Sequence, residues 1–134
     1  MKIRVIQIDP FACEVKHVEI ESSALKSYYA ALSHETMPVN MMQVIPVTEG
    51  LHDGDALFVD EEGLSKQPER FFVFRGFAEP LAGKGLIIGS NPAGDERSAQ
   101  ADVNQIRERV AFLMRTPSGH IVRATGPWIK ETTH

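Results

Sequence analysis

Apolar and polar residues alternate in the first part of the chain. Ile3, Val5 and Ile8 are separated by polar residues, and residues 15–20 alternate in a similar way. A period of two predicts strands with one buried face, and the turn sequence at residues 9–12 predicts that they form a β-hairpin. We therefore expect the chain to begin with two antiparallel strands, neither of them buried on both faces.

The spacing of apolar residues then changes to that of an amphipathic helix. Leu25, Tyr28, Tyr29 and Leu32 lie at positions that share one face of a helix. Ser22 precedes them and is the expected N-cap, because its hydroxyl can accept a hydrogen bond from a free amide of the first turn. The pattern predicts a helix that ends before Pro38.

A second amphipathic helix is predicted from residue 103 onward. Its apolar face is formed by residues spaced three and four apart: Val103, Ile106, Val110 and Leu113. Asp102 is the expected N-cap, and Arg115 lies where the negative end of the helix dipole favours a cation. The pattern predicts that this helix ends at the turn that begins with Thr116.

Further apolar runs predict additional strands. Three of them are apolar on both faces, which is typical of strands in the middle of a sheet: residues 56–59, 71–74 and 86–88. Residues 39–47 predict a strand that Pro46 places near an edge, and residues 120–124 predict a last edge strand. We expect an α+β fold, with a single mixed, mainly antiparallel sheet and two amphipathic helices packed on it.

Composition limits the classes of protein that fit this fold. The chain has 134 residues and a net charge of −4, which disfavours a general DNA-binding protein. Cys13 is the single cysteine, which fits a reducing compartment, and no apolar run is as long as a membrane span. We expect a cytoplasmic protein with one domain at residues 1–126 and a loose tail at residues 127–134.

The acidic residues are the first candidate for chemistry. Asp53, Asp55, Asp60, Glu61 and Glu62 could supply oxygen ligands to a divalent cation. Their spacing does not match a calcium-binding loop, and adjacent glutamates in a turn point in different directions. Two solvated turns explain the cluster better, so we expect no metal site.

The glycine-rich segment at residues 83–89 is the second candidate. Its glycines miss the dinucleotide fingerprint by one residue and precede a strand, whereas that fingerprint opens a helix. Lys84 follows Gly83 as in a phosphate loop, but Gly85 stands where Ser or Thr would hold the metal. We expect no cofactor, and no residue in the chain has the setting of a catalytic nucleophile.

Basic residues are the third candidate. Acidic residues outnumber basic ones before residue 97, and the reverse holds after it. Arg107, Arg109, Arg115 and Arg123 would be the contacts of a weak nucleic-acid-binding protein. A solvated basic helix face explains them better, so nucleic acid is not the partner that we expect.

Residues 57–64, Phe72, Gly76 and residues 80–89 carry a family resemblance. In this order they resemble a family of small proteins catalogued as domain of unknown function 3846, which is carried mostly by phages, prophages and plasmids. The resemblance extends over about residues 1–113. It implies an origin in a mobile element, and it implies no catalytic residues.

These observations together favour a non-enzymatic accessory protein that binds a host protein or a small ligand. The candidate contacts are Asp60, Glu61, Glu62 and Lys84. Edge strands and an aromatic strand face could also pair two copies into a homodimer. One alternative is a small metal-assisted hydrolase that uses the acidic turn residues, and another is the weak nucleic-acid-binding protein.

Overall fold

Two antiparallel sheets and two α-helices make up residues 1–124, the part of the chain that the computed structural model describes. The predicted tail, residues 127–134, lies outside the described residues. The first sheet contains β1 (Lys2–Asp9), β2 (Glu14–Glu21), β3 (Met42–Ile45), β4 (Asp55–Asp60), β7 (Gly85–Ser90) and β8 (Glu96–Arg97). The second sheet contains β5 (Arg70–Phe74), β6 (Leu81–Ala82), β9 (Val110–Arg115) and β10 (Ile121–Arg123). The helices are α1 (Leu25–Leu32), α2 (Val103–Arg109) and a short 3-10 helix (Gly63–Lys66).

The strand order corrects the prediction of one mixed sheet. The first sheet has the order β2-β1-β7-β4-β3, with β8 paired to β7, and the second has the order β10-β9-β5-β6. Every strand pair within residues 1–124 is antiparallel. The α+β class is confirmed, whereas the single sheet and the mixed strand directions are wrong.

The β1–β2 hairpin is confirmed, and its turn is fixed by a side chain. Asp9 Oδ1 accepts hydrogen bonds from the amides of Phe11 and Ala12 at 2.9 and 3.3 Å. β1 itself differs from its prediction, since the consecutive residues from Val5 to Ile8 are all buried. The reason is that β1 lies inside the first sheet, between β2 and β7, with packed layers on both of its faces.

The helix α1 covers one face of the first sheet. Tyr28 and Leu32 are buried there, as the amphipathic spacing predicts. The predicted N-cap is wrong, because Ala24 precedes the helix and no side chain caps it. The hydroxyl of Ser22 instead donates to the carbonyl of Met1 at 2.8 Å, which ties the end of β2 to the first residue.

The second sheet covers the opposite face of the first. Leu57 and Ile87 of the first sheet share a buried cluster with Phe72 and Phe74 of the second. Ile106 of α2 belongs to the same cluster and is fully buried. The predicted cap of α2 is confirmed, since the side chain of Asp102 accepts a hydrogen bond from the amide that lies two residues later.

The helix predicted at residues 103–115 is wrong beyond Arg109. Residues Val110–Arg115 form β9, which pairs with β5 so that Phe112 lies opposite Phe72. A short run of apolar residues fits a helix or a buried strand equally well by periodicity alone. The strand is formed because β5 supplies a partner for its backbone and the inter-sheet core accepts its side chains.

The remaining strand predictions agree with the structure. β7 lies in the middle of the first sheet, β5 lies inside the second, and β3 and β10 are edge strands. No helix in the described part of the chain is long and apolar enough to cross a membrane.

An acidic cleft as the candidate functional site

Asp60 is a structural residue at the end of β4. It is 5% exposed, and Lys66 Nζ lies 2.6 Å from its Oδ2. Its Oδ1 accepts the amide of Glu62 at 2.9 Å, and Lys66 also donates to the carbonyl of Pro38 at 2.7 Å. Because both carboxylate oxygens are occupied, Asp60 holds the turn and leaves little capacity for a ligand.

Lys84 forms an ion pair with Asp9 and not with the acids of the turn at residues 60–62. Its Nζ lies 3.8 Å from Asp9 Oδ2, and the two side chains are only 14% and 10% exposed. Asp9 also fixes the β1–β2 turn, so this ion pair joins two loops at one end of the first sheet. The sequence grouped Lys84 with Asp60, Glu61 and Glu62 as one candidate site. In the structure the partner of Lys84 is Asp9.

Glu61 and Glu62 differ from Asp60 in burial and in the bonding of their carboxylates. Both are exposed, and no hydrogen bond or ion pair holds their carboxylates within residues 1–124. They lie on the rim of a cleft of about 290 Å³, together with Glu79 from the loop between β5 and β6. The rest of the lining is largely apolar, with the exposed Leu64 and Pro80 near the rim and Ile45, Val59, Phe77 and Leu81 deeper.

The cleft is formed where the two sheets are open. β3 is the last strand of the first sheet and β6 is the last strand of the second, and residues of both line the cleft. The 3-10 helix closes one side of it, and Gly63 allows this helix to lie directly on β6. A Cβ atom at Gly63 would lie 3.1 Å from Ala82 Cβ, closer than most packed side chains tolerate.

The charge of the cleft is of one sign. Its rim carries Glu61, Glu62 and Glu79, and none of the described lining residues is Lys, Arg or His. Lys66 lies nearby in sequence, but its ammonium is already paired with the carboxylate of Asp60. Three carboxylates above an apolar floor attract a cation that also has an apolar portion.

The volume of the cleft sets the size of a suitable ligand. Ligand pockets commonly enclose roughly 300–1,000 Å³, and this cleft lies at the lower end with about 290 Å³. It therefore fits one long side chain or a small organic cation better than a nucleotide or another large cofactor.

The hydrolase alternative would use Asp53, Asp55, Asp60 and Glu62, and the structure does not bring these four acids together. Asp55 begins β4, where its carboxylate accepts the amides of Gln100 and Ala101 at 3.0–3.1 Å. Asp60 ends the same strand, roughly 16 Å away at the usual rise per residue. Within residues 1–124, no three His, Cys, Asp or Glu side chains form a group that could hold a metal ion.

The arginines of the nucleic-acid hypothesis do not share a helix face. Each of three is bound to a backbone carbonyl of the chain itself: Arg107 to Val15, Arg109 to Arg75 and Arg115 to Pro68. Arg115 lies in β9 and stacks over the ring of Phe71, with 5.6 Å between guanidinium carbon and ring centroid. Arg123 is exposed on β10. The four arginines are therefore distributed over α2, β9 and β10 and do not form a single basic helix face.

A partly buried hydrogen-bond network around Tyr28 was not anticipated from the sequence. The Tyr28 hydroxyl donates to the carboxylate of Glu96, which also accepts the amide of Ser23 at 2.6 Å. Burial of the phenol, reinforced by the bond to Glu96, raises the pKa of Tyr28 to about 12. The network ties α1 to β8, and its partners are too far apart in sequence to be recognised by a local pattern.

The cleft residues missed by the sequence analysis are Leu64, Phe77 and Glu79. Each has an ordinary local setting, in a turn or a loop, and only the packing of the two sheets places them beside Glu61 and Glu62. No family model, curated protein or solved structure matches the chain. The cleft and the residues that form it are therefore the features from which a function can be inferred.

Proposed function

We propose that this protein is a non-enzymatic binding protein whose ligand occupies the acidic cleft. The observation that supports this most is the contrast between two kinds of acid around the cleft. Asp60 is fully used by the fold, whereas Glu61, Glu62 and Glu79 surround an apolar cleft with no bonded partner in residues 1–124. A ligand with a positive charge and an apolar portion complements both features.

The biological setting that we propose follows from the family resemblance. The protein is an accessory factor of a phage, prophage or plasmid, and it acts in the cytoplasm on a host protein or a small ligand. The single cysteine and the acidic overall charge support this setting. The cleft supports recognition by binding, because its lining residues include no nucleophile paired with a base.

The test uses the smallest ligand that has the required chemistry. The ligand is capped lysine, whose α-amino and α-carboxyl groups are both blocked as amides, so that its side chain carries the only charge. It is titrated into ¹⁵N-labelled protein, and glutamate capped in the same way is the matched control ligand. We expect amide shift changes at Leu64, Phe77 and Leu81 with capped lysine only, because these residues line the cleft. The changes weaken as salt is added, since exposed charges are screened.

A pair of variants separates the cleft from the net charge of the protein. Leu64 is 67% exposed on the cleft and Leu25 is 57% exposed on α1, so either accepts a lysine without loss of core packing. Leu64→Lys supplies an internal cation to the rim and should abolish binding of capped lysine, whereas Leu25→Lys should preserve it. Equal binding by the two variants, or no cleft shifts in the wild-type protein, would contradict the proposed function.

A further inference from the structure

β3 has an open backbone edge. The amide of Glu61 donates to the carbonyl of Met41 at 3.0 Å, so Met41 and Glu61 are a hydrogen-bonded pair. The next pair along β3, Met42 with Asp60, is then a non-hydrogen-bonded pair. Bonded and non-bonded pairs alternate in an antiparallel ladder, so the backbone groups of Met42 and Val44 point away from β4. Among the described residues, no strand pairs with this side of β3.

The open edge lacks the usual protection against pairing. Natural edge strands are commonly guarded by charged side chains, and the other edge of this sheet follows that rule. The other edge strand is β2, and every residue that it exposes is charged: Glu14, Lys16, Glu19 and Glu21. β3 has the sequence Met-Gln-Val-Ile, contains no charge and exposes 56% of Val44.

The open edge and the acidic cleft are adjacent. Gln43 and Ile45 of β3 line the cleft, whereas Met42 and Val44 have side chains on the other face of the sheet. A strand added along β3 would therefore direct alternate side chains to the cleft and to the apolar pair. Pro46, which has no backbone donor, limits the available edge to a short segment.

We infer that β3 binds an extended segment of a partner protein as an added strand, with the pattern apolar–basic–apolar. The two apolar side chains contact Met42 and Val44, and the central Lys or Arg reaches the carboxylates on the cleft rim. This inference rests on the proposed function, because the central side chain is the ligand of the cleft. A second copy of the chain does not fit, because β3 carries no basic residue and its pairing would bring two acidic rims together.

The test compares peptides that differ only in their backbone donors. The probe is a capped peptide of alternating valine and lysine, and its control is N-methylated at the residues that face Met42 and Val44. We expect the probe to slow hydrogen exchange at the amides of Met42 and Val44, and the N-methylated peptide to bind at least about tenfold more weakly, since two backbone hydrogen bonds are lost. A peptide of alternating valine and glutamate should not bind, because its charge repels the rim.

A variant of the protein provides the reciprocal test. Val44→Pro removes one outward backbone donor at an exposed edge position, and it should reduce peptide affinity, by less than N-methylation at two residues does, while capped lysine still binds. The N-methylated peptide leaves the protein unaltered, so the test remains decisive if this variant folds poorly.

Three results would overturn the inference. Equal affinity of the two valine–lysine peptides, with shifts confined to the cleft, would contradict strand addition and leave the proposed function intact. Failure of every cationic probe, capped lysine included, would contradict both. Concentration-dependent protection of Met42 and Val44 without peptide would show that a second copy occupies the edge.

Discussion

At the scale of single residues, Asp60 and its neighbours show that one acidic turn contains both a buried, bonded acid and exposed ones. Asp60 is 5% exposed and bonded to Lys66 and to the amide of Glu62. Glu61 and Glu62 project into solvent beside the cleft. The sequence places all three in one polar turn, and only the position of Lys66 in the folded chain distinguishes their roles.

Replacement of Asp60 should therefore destabilise the protein more than replacement of Glu61. Asp60→Asn leaves Lys66 without its paired charge in a largely buried site, and we expect a loss of about 1–3 kcal/mol in the free energy of unfolding. Glu61→Gln is the matched control and should change it by less than about 0.5 kcal/mol. Urea unfolding of both variants measures the difference, and equal stabilities would contradict the structural role of Asp60.

Tyr28 gives the protein a dependence of stability on alkaline pH. Its pKa is raised from 10.0 to about 12, first by burial and then by the hydrogen bond to Glu96. Between these two pH values the folded state keeps a proton that the unfolded state releases, so stability is complete below pH 10 and falls as pH approaches 12. We expect this residue to account for a loss on the order of 2 kcal/mol in that window.

The variant Tyr28→Phe isolates this effect from other titrating groups. Its free energy of unfolding should be lower than that of the wild-type protein at pH 8, because the bond to Glu96 is lost. The difference between the two proteins should shrink from pH 10 to pH 12, as measured by urea unfolding at each pH. A constant difference over this range would show that the phenol of Tyr28 titrates normally.

At the scale of elements, local patterns predicted most strands and both helices, but not the second sheet or the end of α2 at Arg109. The turn at residues 9–12 and the edge position of β3 follow from alternation and proline chemistry, and both are confirmed. The apolar spacing of residues 110–115 extends that of α2 and by itself predicts a helix, whereas these residues form β9. Their strand conformation depends on pairing with β5, which lies about forty residues earlier in the chain. No pattern within residues 110–115 indicates this partner. The cleft depends on both sheets and could not be predicted for the same reason.

The close approach of the two sheets at Gly85 tests this arrangement of elements. A Cβ atom there would lie 2.7 Å from the ring of Phe72, which is fully buried. Gly85→Ala should lower the free energy of unfolding by about 1–3 kcal/mol through overpacking. Phe72→Leu in the same chain should relieve part of the strain. The double variant should therefore lose less free energy of unfolding than the sum of the losses of the two single variants. Additive losses in urea unfolding would contradict contact between β7 and β5.

At the scale of the whole molecule, the fold leaves an opening between its two sheets. α1 covers one face of the first sheet and the second sheet covers the other, but the edges of β3 and β6 meet at the cleft. The protein has a net charge of −4, and three carboxylates without bonded partners in residues 1–124 lie around this opening. The global charge and the local rim therefore both direct cationic ligands to the same place.

The most direct test of this account neutralises the rim and measures ligand binding. In the triple variant Glu61→Gln, Glu62→Gln and Glu79→Gln, the cleft keeps its shape and loses its charge, while Glu19→Gln removes an exposed charge on β2 as the control. We expect capped lysine to bind the triple variant at least about fivefold more weakly than the wild-type protein in an NMR titration at low salt. The control should bind as the wild-type protein does. Equal affinity of all three proteins for capped lysine would contradict the claim that the acidic cleft is the binding site.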